Sequence, residues 1–136
     1  MQEQYFIVNT NSRYDSKAYK AMLKEKKAAA YYDRKERISN IEKGNIVFLY
    51  HNRVGVIAYG EATDYYKKKD FDGDEDAEYY ISLKFNWKIN PDKEPDKAVK
   101  FSEISNRRRK PPIFDQAVFP INKKIAKVII ELANRT

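Results

Sequence analysis

Residues 79–89, YYISLKFNWKI, alternate without a break. Tyr79, Ile81, Leu83, Phe85, Trp87 and Ile89 share one side, and Tyr80, Ser82, Lys84, Asn86 and Lys88 share the other. A period of two is the geometry of a β-strand, whose successive side chains leave opposite faces. A strand this long and this one-sided needs neighbours on its edges and a core beneath its apolar face. That requirement rules out an all-helical fold. It also places Trp87, in register with five other apolar residues, in the core. At 136 residues, 42% of them hydrophobic, the chain is read as one domain spanning residues 1–136, with enough apolar material for a core.

The rest of the pattern supplies the neighbours. Tyr5-Phe6-Ile7-Val8 is a short apolar strand that stops at the polar loop Asn9-Thr10-Asn11-Ser12. Asp15 or Ser16 is suited to cap a helix predicted over 15–30, with Ala18, Tyr19, Met22 and Leu23 on one face. Ile38 and Ile41 suggest a helical turn closed by Gly44. Strands follow over 45–51 and 54–63, where Gly55 and Gly60 mark a bulge or a close backbone approach. Residues 65–78 read as a charged loop, 98–101 as a short strand, 102–105 as the start of a helical turn and 117–119 as the last strand. Asn122 caps a final helix running to 134, whose Ile125, Val128, Ile129 and Leu132 form one apolar stripe. The order predicts an α+β fold: a closed or nearly closed sheet of roughly five to six strands with flanking helices.

Charge and composition narrow the function. Twenty-seven basic against 20 acidic residues give a net charge of +7, which suits a polyanionic partner. Two basic runs, Lys67-Lys68-Lys69 and Arg107-Arg108-Arg109-Lys110, are candidate phosphate contacts. Eleven tyrosines against one tryptophan favour surfaces that stack and hydrogen-bond at once. The absence of cysteine excludes disulfides, thiolate metal sites and cysteine nucleophiles. Asp70, Asp72, Asp74 and Asp76 resemble a calcium loop, but Gly73 has the wrong offset for an EF-hand. No Ser-His-Asp grouping, metal cluster or glycine-rich phosphate loop stands out, so neither a reaction nor a cofactor is implied. The N-terminal stretch lacks a signal-peptide pattern and no run reaches membrane length, so a cytoplasmic, membrane-free monomer is expected.

The stretch from 44 to 66 carries the only histidine and adds a family resemblance. An aromatic-apolar strand runs into a small polar loop (YFIVNTN), followed by an aromatic with nearby arginines (Tyr32, Arg34, Arg37). Gly44-Asn45 then leads to Phe48-Leu49-Tyr50-His51-Asn52, Gly55-Val56-Ile57-Ala58 and Gly60-Glu61-Ala62, with VKFSEIS and PIN further on. This order resembles the EVE domain of the PUA-like superfamily, which also includes the YTH domains. Asn45 and Asn52 stand where the family pattern has Asp and Ser.

The resemblance implies a PUA-like mixed β pseudo-barrel with an aromatic pocket for one nucleobase, a modified one, in DNA or RNA. It implies Asn9, Thr10, Asn11, Tyr32, Arg34, Tyr50, His51 and Asn52 as ligand contacts. Arg107, Arg108, Arg109, Lys110, Lys67 and Lys68 would hold the nucleic-acid backbone. Each has a plainer reading: Tyr50 shares a strand face with Ile46 and Phe48, and His51 can serve as a structural hydrogen bonder. Two other functions fit the same fold. One is an ASCH-like nucleotide-processing or RNA-cleaving enzyme using Lys20 or Lys24 with Glu61. The other is a protein-interaction adaptor.

Overall fold

The computed structural model describes residues 4–10, 17–106 and 118–135. Its spine is the alternating strand, which extends further back than the alternation. This strand, β6 (Asp74–Lys88), pairs antiparallel with β2 (Lys27–Tyr31), β4 (Gly55–Ala62) and β5 (Lys67–Phe71). Beyond β4 the sheet continues through β3 (Ile46–His51) and β1 (Tyr5–Asn9) to β7 (Val118–Ile121). The order is β2-β6-β4-β3-β1-β7, a curled, barrel-like sheet. All described pairs are antiparallel except β1 with β3. A parallel pair needs a long crossover, here supplied by α1 (Ala18–Glu25), β2 and a 3-10 helix (Tyr32–Asn40).

Both faces of β1 and β3 are apolar, so each strand serves two cores. Phe6, Val8, Val47 and Leu49 face the barrel interior with Met22, Ile57 and Ile81. Ile7, Phe48 and Tyr50 face outward beneath α3 (Lys123–Ala133), against Ile125, Ile129 and Leu132. The Asn122 side chain accepts the Ile125 N–H and starts α3 as expected. Of the expected stripe, Ile125, Ile129 and Leu132 are buried and Val128 is half-buried.

Three expectations are corrected. The helix predicted over 15–30 ends at Glu25, because Lys26 turns left-handed (φ 56°) and its N–H closes on the Met22 carbonyl. Ala28, Ala29 and Ala30 then pair with Ile81, Tyr80 and Tyr79. Alanine is the best helix former, so strand pairing here overrides local propensity. The loop expected over 65–78 is a hairpin, turning at Asp72 (φ 51°) and Gly73 (φ 80°) between Phe71 and Asp74. Two consecutive positive-φ residues in a two-residue loop match the right-handed twist of the flanking strands. Residues expected as a strand over 98–101 form a single bridge, Val56 to Val99, and α2 (Phe101–Asn106) begins directly after it.

Gly60 carries the bulge that the sequence suggested. The β4–β6 register slips between Tyr59 and Gly60, and a Cβ at Gly60 would overlap the Lys84 carbonyl and stand 2.9 Å from Phe85 Cα. Since backbone cannot yield as a flexible side chain does, Gly60→Ala should cost about 1–3 kcal/mol. A denaturant titration should show that loss as a lower midpoint with an unchanged slope.

Candidate functional site

The carboxyl ends of β1 and β3, the parallel pair, lie side by side with Asn9 opposite Tyr50. One residue further on, the Thr10 N–H donates to the Tyr50 carbonyl at 2.8 Å, prolonging the ladder. The Thr10 hydroxyl lies 3.2 Å from that same oxygen and 2.8 Å from His51 Nδ1. A bulge fixes where β3 ends: Leu49 pairs with Ala58 but Tyr50 with Val56, leaving Ile57 extra on β4. The chain reverses at once, with the Val54 N–H donating to the His51 carbonyl at 3.0 Å and Arg53 left-handed at φ 68°.

Strand alternation divides the expected ligand set between two faces. Thr10 and His51 belong to the inner series with Val8 and Leu49, and their side chains meet at the barrel mouth. Tyr50 belongs to the outer series and packs with Phe48 and Val56 at 9% exposure, so its ring is core. Burial raises its hydroxyl pKa. Tyr50 therefore enters the site through its carbonyl oxygen, not its ring. Asn9 donates to Asn52 Oδ1 at 3.3 Å, a second, exposed cross-link beside the first.

Tyr32 is held elsewhere. Its hydroxyl donates to Asp74 at 2.5 Å and its ring meets Phe71 edge-on at 5.9 Å, both on the β5–β6 hairpin. Its φ of 52° is unusual for an aromatic residue and reflects the sharp passage from β2 into the 3-10 helix. Arg34 is exposed on that helix, and Arg37 reaches the Val118 carbonyl at 3.4 Å. Asn11 and Arg107 to Lys110 lie outside the described residues. Lys67 and Lys68 are exposed on β5; Lys67 pairs with Asp64 at 3.6 Å, and Lys68 stands 5.3 Å over the Tyr79 ring. Trp87, expected in the core, is half-buried against Tyr59 at 6.2 Å.

One site residue was not singled out from sequence. Tyr19, on α1, lays its ring against His51 with centroids 4.4 Å apart at 47°. Its hydroxyl donates to both Asp92 carboxylate oxygens, at 3.0 and 3.1 Å. Tyr19 also borders a cleft of about 550 Å³ between α1 and residues 88–94, lined further by Lys20, Leu23, Lys24 and Ile89. That volume falls within the usual range for a small-molecule site. Lys20 and Lys24 thus lie in the cleft, whereas Glu61 sits on β4 opposite Ile46, outside its lining. Among the described residues no cluster of three or more His, Asp or Glu could hold a metal ion.

No protein-family model matches the chain, and no curated protein matches it in sequence. Solved structures do match in fold. A hypothetical protein from Leishmania major superposes with a TM-score of 0.64 at 15% identity, covering 98% of this chain and 96% of that one. The YTH domain-containing protein mmi1, in an RNA complex, gives a TM-score of 0.66 at 13% identity over 98% and 82%. The YTH domain of Zygosaccharomyces rouxii MRB1, in complex with N6-methyladenosine RNA, gives 0.60 at 12% over 97% and 87%. The chain has the α+β fold of these YTH domains, a curled half-barrel sheet with flanking helices.

Desolvation holds the His51 imidazole below its ordinary pKa of 6.5, against a smaller upward pull from Asp92. The folded protein therefore takes up this proton less readily than the unfolded chain, and stability must fall as pH drops below 6.5. The Glu103 carboxyl, held low chiefly by its hydrogen bond to Arg135, contributes stability that is complete well above 4.5 and is lost as pH falls below it. Urea midpoints measured between pH 6.5 and 4.5 should thus decline with acid, and His51→Gln should flatten that decline.

Proposed function

We propose that this domain binds a nucleic acid without catalysing a reaction, accepting one base, a modified one, at the barrel mouth. The observation that carries the reading is the Thr10–His51 pair beneath the Tyr19 ring, polar atoms and an aromatic face together at the strand ends. A base withdrawn from its stack needs those two things: hydrogen bonds to its edge and a flat surface against its face. The net charge of +7 and the fold shared with the RNA-bound YTH domains of mmi1 and MRB1 support it.

Thr10, His51, Asn9 and Asn52 read the base in this proposal, and Tyr19 takes the stacking role expected of Tyr32. Tyr32 and Arg34 flank the bound strand, and Asn11, outside the described residues, is kept as a further contact. Lys67 and Lys68, exposed along the outer strand β5, and Arg107, Arg108, Arg109 and Lys110 hold phosphates. Phosphate contacts set affinity and its salt dependence but carry no base information.

The test is fluorescence anisotropy with single-stranded DNA and RNA oligonucleotides that differ at one base, plain or modified, across a salt series. Lys67→Ala and Lys68→Ala should each weaken every oligonucleotide alike and lower the salt slope by about 1. Tyr19→Ala should cost about 1–3 kcal/mol, the worth of one base–aromatic stack, and should narrow the preference among bases. Binding that ignores salt, or a Tyr19→Ala protein with undiminished base preference, would defeat the proposal.

A further inference from the structure

We infer that His51 is locked as the neutral tautomer protonated on Nδ1, so that its Nε2 is a fixed acceptor selecting a base whose edge carries an amino N–H. The role assigned to the ligand rests on the nucleobase reading above; the tautomer does not.

The argument starts from the proton count on Thr10. A threonine hydroxyl has one hydrogen to donate and two lone pairs to accept with. Thr10 is 1% exposed, so its hydrogen bonds must be found within the protein. Two atoms lie within reach, the Tyr50 carbonyl oxygen at 3.2 Å and His51 Nδ1 at 2.8 Å. The carbonyl can only accept. If the hydroxyl donates to it, Nδ1 must carry a hydrogen and donate to Oγ1, and both contacts become hydrogen bonds. If the hydroxyl donates to Nδ1 instead, Oγ1 turns a lone pair toward the Tyr50 oxygen and one of the two bonds is lost. The first arrangement satisfies everything in reach, so the neutral ring carries its proton on Nδ1.

Nε2 is then the unprotonated nitrogen, and it faces away from Thr10. Among the described residues the His51 ring has no hydrogen bond besides the one to Thr10, and no buried side-chain nitrogen or oxygen lacks a partner. Nε2 is therefore open to solvent at the mouth. The ring cannot readily flip to exchange its nitrogens, because Tyr19 lies against it and is itself tied to Asp92 by its hydroxyl. A fixed acceptor beside an aromatic face is the complement of an amino group on a flat ring. An edge that offers only acceptors would leave two lone pairs opposed and desolvated.

The chain has one histidine, so long-range proton–nitrogen NMR of the 15N-labelled protein gives one imidazole pattern. Well above the imidazole titration, Nδ1 should show the shift of a protonated nitrogen and Nε2 that of an unprotonated one. Thr10→Val should move the ring toward the Nε2–H form. In binding, oligonucleotides carrying adenine, N6-methyladenine or N6,N6-dimethyladenine at one position separate donor from shape. The dimethylated base keeps its face and apolar area but has no amino hydrogen. Its affinity should fall by about tenfold or more, as expected for an acceptor left unmade, and His51→Phe should abolish that difference. A native ring protonated on Nε2 would overturn the assignment. Equal binding of the dimethylated base, or a penalty that persists in His51→Phe, would overturn the selectivity alone. Failure of all three oligonucleotides to bind would overturn the nucleobase reading and the selectivity with it.

Discussion

Strand β6 is the constraint on which the other elements depend. Its 15 residues pair with β4 along one half and lie between β2 and β5 along the other. A strand used on both edges cannot slip by one residue, because every side chain would change faces and the core set of Ile81 and Leu83 would be exposed. Along the β4–β6 edge the register slips at Gly60, and the close approach of the Lys84 backbone leaves no room for a side chain there. Charge locks the same strand from the side. Lys27 and Glu78, both nearly fully buried, meet at 2.5 Å across the β2–β6 pair. Either charge left without the other would be strongly destabilising, so the pair fixes β2 in its place more than it adds net stability.

The candidate site is a consequence of ending two parallel strands together. Parallel pairing of β1 and β3 brings Thr10 and His51, 41 residues apart in sequence, to 2.8 Å. Alternation then decides which side chains can take part, and the α3 cluster claims the outward ones. A Tyr-His sequence therefore cannot present both rings to one pocket. The aromatic face comes instead from α1, which the crossover between the parallel strands carries over the barrel mouth.

Much of the hairpin was readable before folding. Asp72-Gly73 is a strong two-residue turn signal, but it sits inside a segment with six acids among nine residues, and the charge density concealed the strands. Strand β5 is exposed but for half-buried Phe71, so it needed no apolar alternation to form; pairing with β6 suffices. Strand β2 had no local signal at all, since Lys-Ala-Ala-Ala-Tyr favours helix until a strand edge is available beside it.

The sequence by itself determined the alternation of β6, the apolar runs of β1 and β3, the stripe and cap of α3, the glycine at the bulge and the positive charge. These are local patterns, and side-chain periodicity or backbone sterics fix them wherever the segment lies. Only the tertiary structure decided that residues 27–31 form a strand, that Tyr50 is core and that Tyr19 covers His51. Each of those depends on which partner arrives from a distant part of the chain. A hydrogen bond such as that between Thr10 and His51 exists only once both strands share a sheet, and no local preference of either residue encodes it.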